Sequence, residues 1–222
     1  MDEFTAFESN RRKKQSLMAV VFLAVIMGAW FYPFLGFFIP LCMLLGIGVG
    51  LFRGRKWCDW FCPRGSFYDV AVSPFSRKKG IPSLLRKTSF RVGMLFLLML
   101  IMITQLIRLW PDLHKIGMLF ATLLTVTTVL GVILGILFHS RSWCSICPIG
   151  TITALINKNK YPLKIDAKSC IDCGRCEQVC PIELAPHKLK SCDIELIRQK
   201  DCLSCNLCIK ACPKQSLSRQ IK

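Results

Sequence analysis

The chain has 222 residues, of which 53% are hydrophobic, and it carries a formal net charge of +17. Its mean hydropathy of +0.45, together with that charge, indicates apolar helices joined by basic loops and argues against one soluble globular core. The basic residues lie beside the apolar runs, where lipid head groups would be. The charge therefore indicates a membrane surface, and no nucleic-acid partner is expected.

The first predicted element is a hairpin of two membrane spans. A basic segment, 1–16, precedes an apolar run, 17–52, which is too long for the apolar part of a signal peptide, so we expect it to be retained. A helix over the whole run would be about 54 Å long, whereas the hydrocarbon core of a bilayer is about 30 Å thick. A proline and a glycine near its midpoint predict two spans, 17–34 and 36–52, with one long tilted helix as the alternative.

A second hairpin follows the basic loop 53–91. Two further apolar runs, 92–110 and 116–138, predict the third and fourth spans. The N-terminus and the loop are far more basic than the turn between these runs. By the positive-inside rule, both termini and the inner ends of the hairpins face the cytoplasm of a bacterium or archaeon. We therefore expect a multi-pass, four-helix domain over 17–156 in the lipid of the cytoplasmic (inner) membrane.

Each hairpin ends in the same motif, which makes an internal repeat. The last span of each hairpin carries two glycines four residues apart, Gly46 and Gly50 in the first and Gly131 and Gly135 in the second, and W-C…C-P-x-G-[ST] follows. The motif residues are Trp57, Cys58, Cys62, Pro63, Gly65 and Ser66 in the first copy, and Trp143, Cys144, Cys147, Pro148, Gly150 and Thr151 in the second. The glycines predict that spans two and four pack together, which would bring the cysteine pairs to one place about a pseudo-twofold axis.

Neither membrane-edge cysteine pair alone completes a set of four thiolates, but the two pairs together would. We therefore predict a third iron–sulfur cluster at the membrane edge, held by Cys58, Cys62, Cys144 and Cys147. Its sulfurs need hydrogen-bond donors, which backbone N–H groups after each C-P and the hydroxyl of Ser66 or Thr151 would supply. The alternatives are that the pairs are reversible dithiols, or that the Trp and Pro residues only form an interfacial belt.

The tail, 157–222, contains two runs of the form C-x2-C-x2-C-x3-C-P, the spacing of two-cluster bacterial ferredoxins. Three cysteines of each run ligate one cluster and the fourth ligates the other, which predicts two [4Fe–4S] clusters and argues against zinc. The two ligand sets are Cys170, Cys173, Cys176 and Cys212, and Cys202, Cys205, Cys208 and Cys180. The expected fold is a membrane all-α domain of four transmembrane helices followed by a small α+β two-cluster ferredoxin-like domain.

Some polar and thiol side chains are expected to have no role in a cluster. Cys42 lies within a span and is interpreted as a small apolar filler, and Cys192, between the two ferredoxin runs, is interpreted as a non-ligand. The threonines of the fourth span are expected to donate hydrogen bonds between helices. They are Thr125, Thr127 and Thr128.

The chain resembles the membrane polyferredoxins of the NapH and NosR type. The resemblance rests on four spans, the membrane-edge motifs "CDWFCP" and "CSICP", and two ferredoxin runs. The resemblance covers residues 16–218, although the second membrane-edge motif is C-x2-C-P where the family has C-x3-C-P. It implies an electron-transfer subunit of a quinol dehydrogenase complex, which feeds a reductase through iron–sulfur clusters. The expected partners are a quinone such as menaquinone and the other redox subunits of a larger complex.

A quinone site would serve the clusters best on the cytoplasmic side, because a site at the outer turn would lie about 30 Å from them. The candidate lining residues are Trp57, Trp60, Tyr68, His139 and Trp143. Aromatic residues of this kind also suit plain anchoring at the membrane interface. Two other functions remain open: a membrane anchor or assembly subunit whose clusters are structural, and a redox sensor that uses the membrane-edge pairs as dithiols.

Overall fold

The computed structural model describes residues 2–77, 79–156, 163–189, 196–197 and 201–219. Most of this described part is helical, and four of its helices are long and apolar enough to cross a membrane. They are Glu3–Phe31, Pro33–Arg53, Thr88–Leu109 and Leu113–Leu137. The described residues thus contain four candidate membrane spans, which indicates a membrane protein.

The first hairpin consists of α1 (Asp2–Phe31), a 3-10 turn (Pro33–Phe37) and α2 (Phe38–Arg53). Two spans are thus present where the sequence predicts two, and one long tilted helix is the wrong alternative. The first helix begins at Asp2, inside the segment predicted as a separate basic N-terminus. A helix of 30 residues is about 45 Å long, so α1 extends beyond a hydrocarbon core about 30 Å thick.

The second hairpin consists of α6 (Thr88–Leu109) and α7 (Leu113–Leu137). The two hairpins meet where the 3-10 turn approaches α7. A Cβ atom on Gly36 would lie 2.3 Å from the carbonyl oxygen of Gly117, and one on Gly117 would lie 2.3 Å from the carbonyl oxygen of Pro33. Any side chain at either glycine would collide with backbone, so glycine is required at this crossing.

The outer faces of the spans are apolar and exposed. Examples are Leu17, Val20, Leu44, Phe96, Ile107 and Val129. An exposed apolar surface of this extent marks a membrane-facing surface. The threonine prediction is wrong: the hydroxyls of Thr125, Thr127 and Thr128 donate to carbonyl oxygens of their own helix, α7, because these oxygens lie one turn away within reach.

The segments between the spans carry the cysteine motifs. After α2 come α3 (Lys56–Trp60) and α4 (Pro63–Phe67), which continues into a π-helical turn (Tyr68–Val72) and a 3-10 turn (Ser73–Phe75). A one-turn helix, α5 (Ser83–Arg86), precedes α6. After α7 come α8 (Ser142–Ile146) and α9 (Pro148–Ile156). The repeat seen in the sequence is therefore also a repeat of short helices.

The described part of the tail has three short strands and two one-turn helices. Strand β1 (Leu163–Ile165) lies between β2 (Leu196–Ile197) and β3 (Leu217–Arg219) and is antiparallel to both. The helices are α10 (Arg175–Gln178) and α11 (Leu207–Ala211), and a 3-10 turn (Pro186–Leu189) follows α10. Cys192 lies outside the described residues.

Candidate metal centres

The two cysteine motifs at the membrane edge share one local structure. Each second cysteine immediately precedes a helix that starts with proline, Pro63 in α4 and Pro148 in α9. Proline suits this position because the N–H that it lacks would have no helical partner. The Cys62 sulfur accepts a hydrogen bond from the backbone N–H of Gly65 at 3.4 Å. The thiol thus caps the start of its helix and is held in place.

The structure brings the two cysteine pairs to one place. Cys58 is buried in an apolar cluster against which Cys144 and Cys147 pack. Cys62 is close enough that charge on any of the other three thiols raises its pKa, in addition to the larger effect of burial. The four thiols predicted to hold a third cluster are therefore neighbours.

The glycine pairs bring the two cysteine motifs together, but through a different contact from the predicted one. Gly46 and Gly50 of α2 face α9: a Cβ atom on them would lie 2.8 Å from Ile149 and 2.7 Å from Thr153. The prediction that these glycines contact the fourth span is wrong, because the short helix of the second repeat occupies that face.

The second glycine pair makes the corresponding contact with the segment that follows the first cysteine motif. A Cβ atom on Gly131 of α7 would lie 2.0 Å from the hydroxyl oxygen of Tyr68, and one on Gly135 would lie 2.8 Å from Val72. Each membrane hairpin therefore receives the short helix that follows the cysteine motif of the other hairpin. This exchange is what places the two motifs side by side.

Two buried arginines, three residues before the first cysteine of each motif, cross between the repeats. Arg55 Nη2 donates to the carbonyl oxygen of Cys144 at 3.1 Å. Arg141 Nη1 donates to the carbonyl oxygen of Cys58 at 2.8 Å. Each motif thus holds the backbone of the other through one guanidinium. The motif glycines leave room for these groups: a Cβ on Gly65 would lie 2.8 Å from Arg141 Nη1.

Buried carboxylates balance these charges within the membrane domain. Arg141 donates from Nε and Nη2 to Asp69 at 2.7 and 2.6 Å. Arg11 of α1 donates to the fully buried Asp59 at 2.9 and 2.6 Å. Gln15 Nε2 donates to Asp69 at 2.9 Å. Because a buried charge is costly unless it is paired, this network fixes the N-terminal half of α1 against the first cysteine motif.

Several buried donors near the membrane-edge cysteines have no hydrogen-bond partner among the described residues. They are Arg55 Nε, Trp57 Nε1, Trp60 Nε1, Arg64 Nη2, Ser66 Oγ, Trp143 Nε1 and Thr151 Oγ1. Unsatisfied buried polar atoms are rare in native proteins and call for an explanation. A group with several sulfur acceptors, held by the four thiols, would explain the donors that lie beside them, as Arg55 does beside Cys58 and Arg64 beside Cys147. Ser66 and Thr151, the two hydroxyls that the sequence predicts as donors, are both in this set, so the residues present fit an iron–sulfur cluster.

Burial disfavours the bare thiolate form of these cysteines. Burial raises the pKa of Cys58, although Arg55 and Arg141 oppose the rise. Burial also raises the pKa of Cys144, against the opposing charge of Arg141. Thiolates here therefore require positive charge close by, which a bound metal would supply.

The eight cysteines of the ferredoxin runs lie around two small cavities. One cavity is lined by Cys170, Cys173, Cys176 and Cys212, and the other by Cys180, Cys202, Cys205 and Cys208. Each group combines three cysteines of one run with the fourth of the other, which is the pairing that the sequence predicts. Within the described residues, no three His, Cys, Asp or Glu side chains converge closely enough for a single metal ion.

The segment after Cys180 and strand β3 each provide a donor to a cysteine sulfur. The backbone N–H of Leu184 donates to Cys180 Sγ at 3.3 Å, and Arg219 Nη2 donates to Cys202 Sγ at 3.6 Å. Burial raises the pKa of Cys180 to about 11 and that of Cys208 to about 12. In this set Cys205 is buried, and Cys180, Cys202 and Cys208 are partly buried.

The two ferredoxin cavities differ in their position relative to the membrane domain. Cys205 is buried in the same apolar cluster as Cys58, and Cys180 packs against that cluster. Cys173, in the other set, is exposed, and its neighbour Ile171 is 58% exposed. The set of Cys180, Cys202, Cys205 and Cys208 therefore lies next to the membrane-edge cysteines, and the other set lies further out.

Polar contacts fix the tail in this orientation. The carboxylate of Glu183 accepts from the backbone N–H of Ile81 at 3.0 Å. Arg86 Nη2 donates to the carbonyl oxygen of Ile182 at 2.9 Å. Asp201 accepts from Arg91 Nη1 at 2.6 Å. The basic loop between the hairpins is thus the docking surface for the loops that carry Cys180 and Cys202.

The five residues predicted to line a quinone site lie in different surroundings. Trp60, Tyr68 and Trp143 are buried. Tyr68 Oη accepts from Arg64 Nε at 3.0 Å, and the Arg64 guanidinium lies over the Trp143 ring, 4.7 Å from its centroid. Trp57 stacks on Phe61. These four aromatic residues pack around the cysteine motifs.

His139 has a different environment, since it lines a cavity of about 590 Å³. The walls of this cavity also include Gln15, Asp69, Val70, Pro74, Cys180 and Pro181. Burial lowers the pKa of His139 below its ordinary value, against the opposing charge of Glu183. The cavity lies between α1, the π-helical turn and the tail, and it adjoins one of the second set of ferredoxin cysteines.

Five charged residues of the site were not predicted from the sequence: Arg55, Arg141, Asp59, Asp69 and Asp201. A signal for the arginines is present: both motifs begin R-x-W-C, so an arginine precedes each first cysteine by the same number of residues. The carboxylates have no such signal, because their partners lie far away in the chain.

Comparison with known families identifies the two parts of the chain. A family model described as "4Fe-4S binding domain" matches twice, at residues 35–82 and 119–166. A model described as "4Fe-4S dicluster domain" matches residues 169–216. Each of the first two matches contains one membrane-edge motif, which confirms the internal repeat, and the third contains both ferredoxin runs. The chain therefore has iron–sulfur domains of the 4Fe–4S ferredoxin type.

Three curated proteins are distant relatives. "Putative electron transport protein YccM" of Escherichia coli (strain K12) is 25% identical over 174 residues, 67% of this chain and 47% of that protein. "Uncharacterized protein MJ0749" of Methanocaldococcus jannaschii is 26% identical over 146 residues, 64% of this chain and 57% of that protein. "Methylamine utilization ferredoxin-type protein MauN" of Methylobacillus flagellatus is 27% identical over 150 residues, 63% of this chain and 51% of that protein. The chain spans about half the length of these relatives, and no solved structure matches it significantly.

Proposed function

We propose that the chain is a membrane-bound electron-transfer subunit that passes electrons between the quinone pool and a partner redox protein. It lies in the cytoplasmic membrane with its termini and cysteine sites on the cytoplasmic side, and it belongs to a larger complex of the NapH and NosR type. The 4Fe–4S family matches support this proposal, as do the relatives named for electron transport and as ferredoxin-type.

Three iron–sulfur centres would be held by twelve cysteines. The sets are Cys58, Cys62, Cys144 and Cys147 at the membrane edge; Cys180, Cys202, Cys205 and Cys208 beside it; and Cys170, Cys173, Cys176 and Cys212 furthest out. Iron–sulfur clusters, when bound, accept and release electrons. The chain's own residues would set the order of the three sites and supply donors to the sulfurs.

The observation that carries the proposal is the placement of Cys205 and Cys173. Cys205 is buried in one apolar cluster with Cys58, whereas Cys173 is exposed at the other end of the tail. Such a gradient, from sites buried at the membrane to a site open to solvent, suits a path between a lipid-soluble carrier and a soluble or peripheral partner. The exposed face at Ile171 and Cys173 is the proposed exit.

The cavity beside His139 is the proposed quinone site. Its volume of about 590 Å³ is in the range of ligand pockets. His139 and Gln15 offer hydrogen bonds to quinone oxygens, Val70 and Pro74 offer an apolar wall, and Cys180 ties the cavity to a cluster site. Trp57, Trp60, Tyr68 and Trp143 then support the cysteine motifs in the interface.

The first experiment counts clusters in protein purified without oxygen. Cys58→Ser should lower the iron content by the share of one cluster and leave the electron paramagnetic resonance (EPR) signals of the two ferredoxin clusters. Cys42→Ser, in α2 and away from the motifs, is the matched control and should keep the full iron content. Zinc or no metal in the unaltered protein, or equal iron in both variants, would overturn the proposal.

The second experiment tests the quinone. A reduced menaquinone analogue added to membranes containing the protein should reduce the clusters, as followed by EPR. His139→Ala should slow that reduction, while dithionite still reduces the clusters fully. If the quinol reduces no cluster even in the unaltered protein, the chain is better described as an anchoring or assembly subunit.

A further inference from the structure

The two membrane-edge repeats differ at one position that matters for charge balance. Aligned on C-P, Cys62 corresponds to Cys147, and the residue seven positions later is Asp69 in the first repeat and Ala154 in the second. Asp69 and Ala154 each lie one helical turn after the motif glycine. The second repeat therefore has a buried alanine where the first has a carboxylate.

In the first repeat, the carboxylate of Asp69 pairs with Arg141 of the second repeat. Arg141 uses one nitrogen for the carbonyl oxygen of Cys58 and two for Asp69. Arg55, the equivalent arginine, makes the equivalent bond to the carbonyl oxygen of Cys144. Its remaining nitrogens find no carboxylate on α9, because Ala154 has none.

The carboxylate for Arg55 comes from the tail. Arg55 Nη1 donates to the backbone oxygen of Asp201 at 3.1 Å and lies 3.4 Å from its carboxylate oxygen Oδ1. Arg91 Nη1 donates to the same carboxylate oxygen at 2.6 Å. Arg55 is only 2% exposed, so the loss of Asp201 would remove the carboxylate that pairs with a buried charge, which is unfavourable.

Asp201 also precedes Cys202, one of the predicted ligands of the nearer ferredoxin site. A single guanidinium therefore joins the backbone of Cys144, at the membrane edge, to the residue next to Cys202. Movement of the tail away from the membrane domain would break the contacts of Arg55 with Asp201.

We propose that Asp201 is a positioning residue that supplies, from the ferredoxin-like tail, the carboxylate that the second membrane repeat lacks. The membrane-edge site is then complete only when the tail is docked, so that this centre and its electron acceptor are assembled together. The part of this inference that concerns the cluster rests on the proposed function. The pairing of Arg55 with the tail does not.

The test compares Asp201→Asn with Asp172→Asn in the full chain. Asp172 is an exposed acid between two cysteines of the other run and serves as the matched control. We expect Asp201→Asn to increase the rate of proteolytic cleavage between the membrane domain and the tail at least about tenfold. We also expect the midpoint potential of the membrane-edge cluster to rise, because the charges of Arg55 and Arg91 lose the carboxylate that they share. Asp172→Asn should change neither quantity.

A rescue variant separates positioning from general damage to the tail. Ala154→Asp, combined with Asp201→Asn, returns a carboxylate to the second repeat at the position that Asp69 has in the first. The double variant should recover the potential and the spectrum of the membrane-edge cluster while the tail stays as sensitive to protease as in Asp201→Asn. Arg55→Lys keeps the charge but loses the fork that reaches both partners, so it should resemble Asp201→Asn in protease sensitivity.

The outcomes can be told apart from a failure of the proposed function. If iron analysis shows no cluster at the membrane-edge cysteines, the proposed function fails, and the protease measurement still decides whether Asp201 docks the tail. Equal protease sensitivity and equal potentials in Asp201→Asn and the unaltered protein would overturn the inference. The inference would also be overturned if adding Ala154→Asp to Asp201→Asn did not restore the potential of the membrane-edge cluster.

Discussion

The guanidinium of Arg141 donates a hydrogen bond to the backbone carbonyl of Cys58 at 2.8 Å, although the two residues are 83 positions apart in the chain. Arg141 precedes the first cysteine of the second motif, and Cys58 is the first cysteine of the first motif. The bond therefore holds one half of a predicted four-thiol site against the other. Because Arg141 is fully buried, neither water nor another part of the surface competes for this donor.

The first prediction concerns the buried pair of Arg141 and Asp69. Asp69→Asn removes the closer of two carboxylates beside a fully buried guanidinium, at 2.6 Å against 3.6 Å for Asp59, and breaking a buried pair in this way costs about 3–5 kcal/mol. Thermal unfolding in detergent should show the loss. The matched control is Asp112→Asn, which breaks the exposed pair with Lys115 and should cost no more than about 1 kcal/mol. Equal effects of the two substitutions would contradict the assigned role.

The same pair predicts a direction of pH dependence. Burial alone would raise the pKa of Asp69, but the charge and hydrogen bonds of Arg141 lower it overall. A carboxyl group whose folded-state pKa is lowered stabilises the fold above its unfolded-state pKa of about 3.9, and that contribution is lost as the pH falls through the folded value. Stability measured from pH 6 downwards should fall less steeply in Asp69→Asn than in the unaltered protein. Parallel curves would refute this assignment.

The second glycine pair gives a packing prediction. Gly131→Ala places a Cβ atom 2.0 Å from the Tyr68 hydroxyl oxygen, and such overpacking typically costs about 1–3 kcal/mol. Tyr68→Phe removes that oxygen, so the double variant should recover part of the lost stability; the ring carbon Cζ, 2.7 Å away, prevents full recovery. Gly48→Ala, where nothing lies within 4 Å, should be close to neutral in the same thermal-unfolding measurement.

The depth of the cysteines predicts an order of chemical reactivity in protein from which iron has been removed. Cys173 is exposed, whereas burial raises the pKa of Cys208 to about 12. Because the thiolate is the reactive form, alkylation of Cys208 at pH 8 should be slower than that of Cys173 by on the order of a hundredfold. Mass spectrometry of timed alkylation reactions measures both rates. Similar rates at the two cysteines would mean that the tail does not keep this arrangement without iron.

The helices and the cysteine sets could be predicted largely from the sequence. Apolar runs of membrane length and a proline–glycine break give two hairpins, and C-x2-C-x2-C-x3-C-P gives the crosswise pairing of cysteines seen around the two tail cavities. The start of α1 at Asp2 was missed. Basic residues such as Arg11 suggest a solvated segment until their buried partner, Asp59, is known.

The sequence by itself indicated four apolar spans and which cysteines form sets, because hydropathy and ligand spacing act over a few turns of chain. Only the tertiary structure decided that each short helix packs on the glycines of the other hairpin. It also decided that the second ferredoxin site lies beside the membrane-edge cysteines and that Asp201 pairs with Arg55. These relationships depend on charges and surfaces brought together from distant parts of the chain, and no local pattern records them.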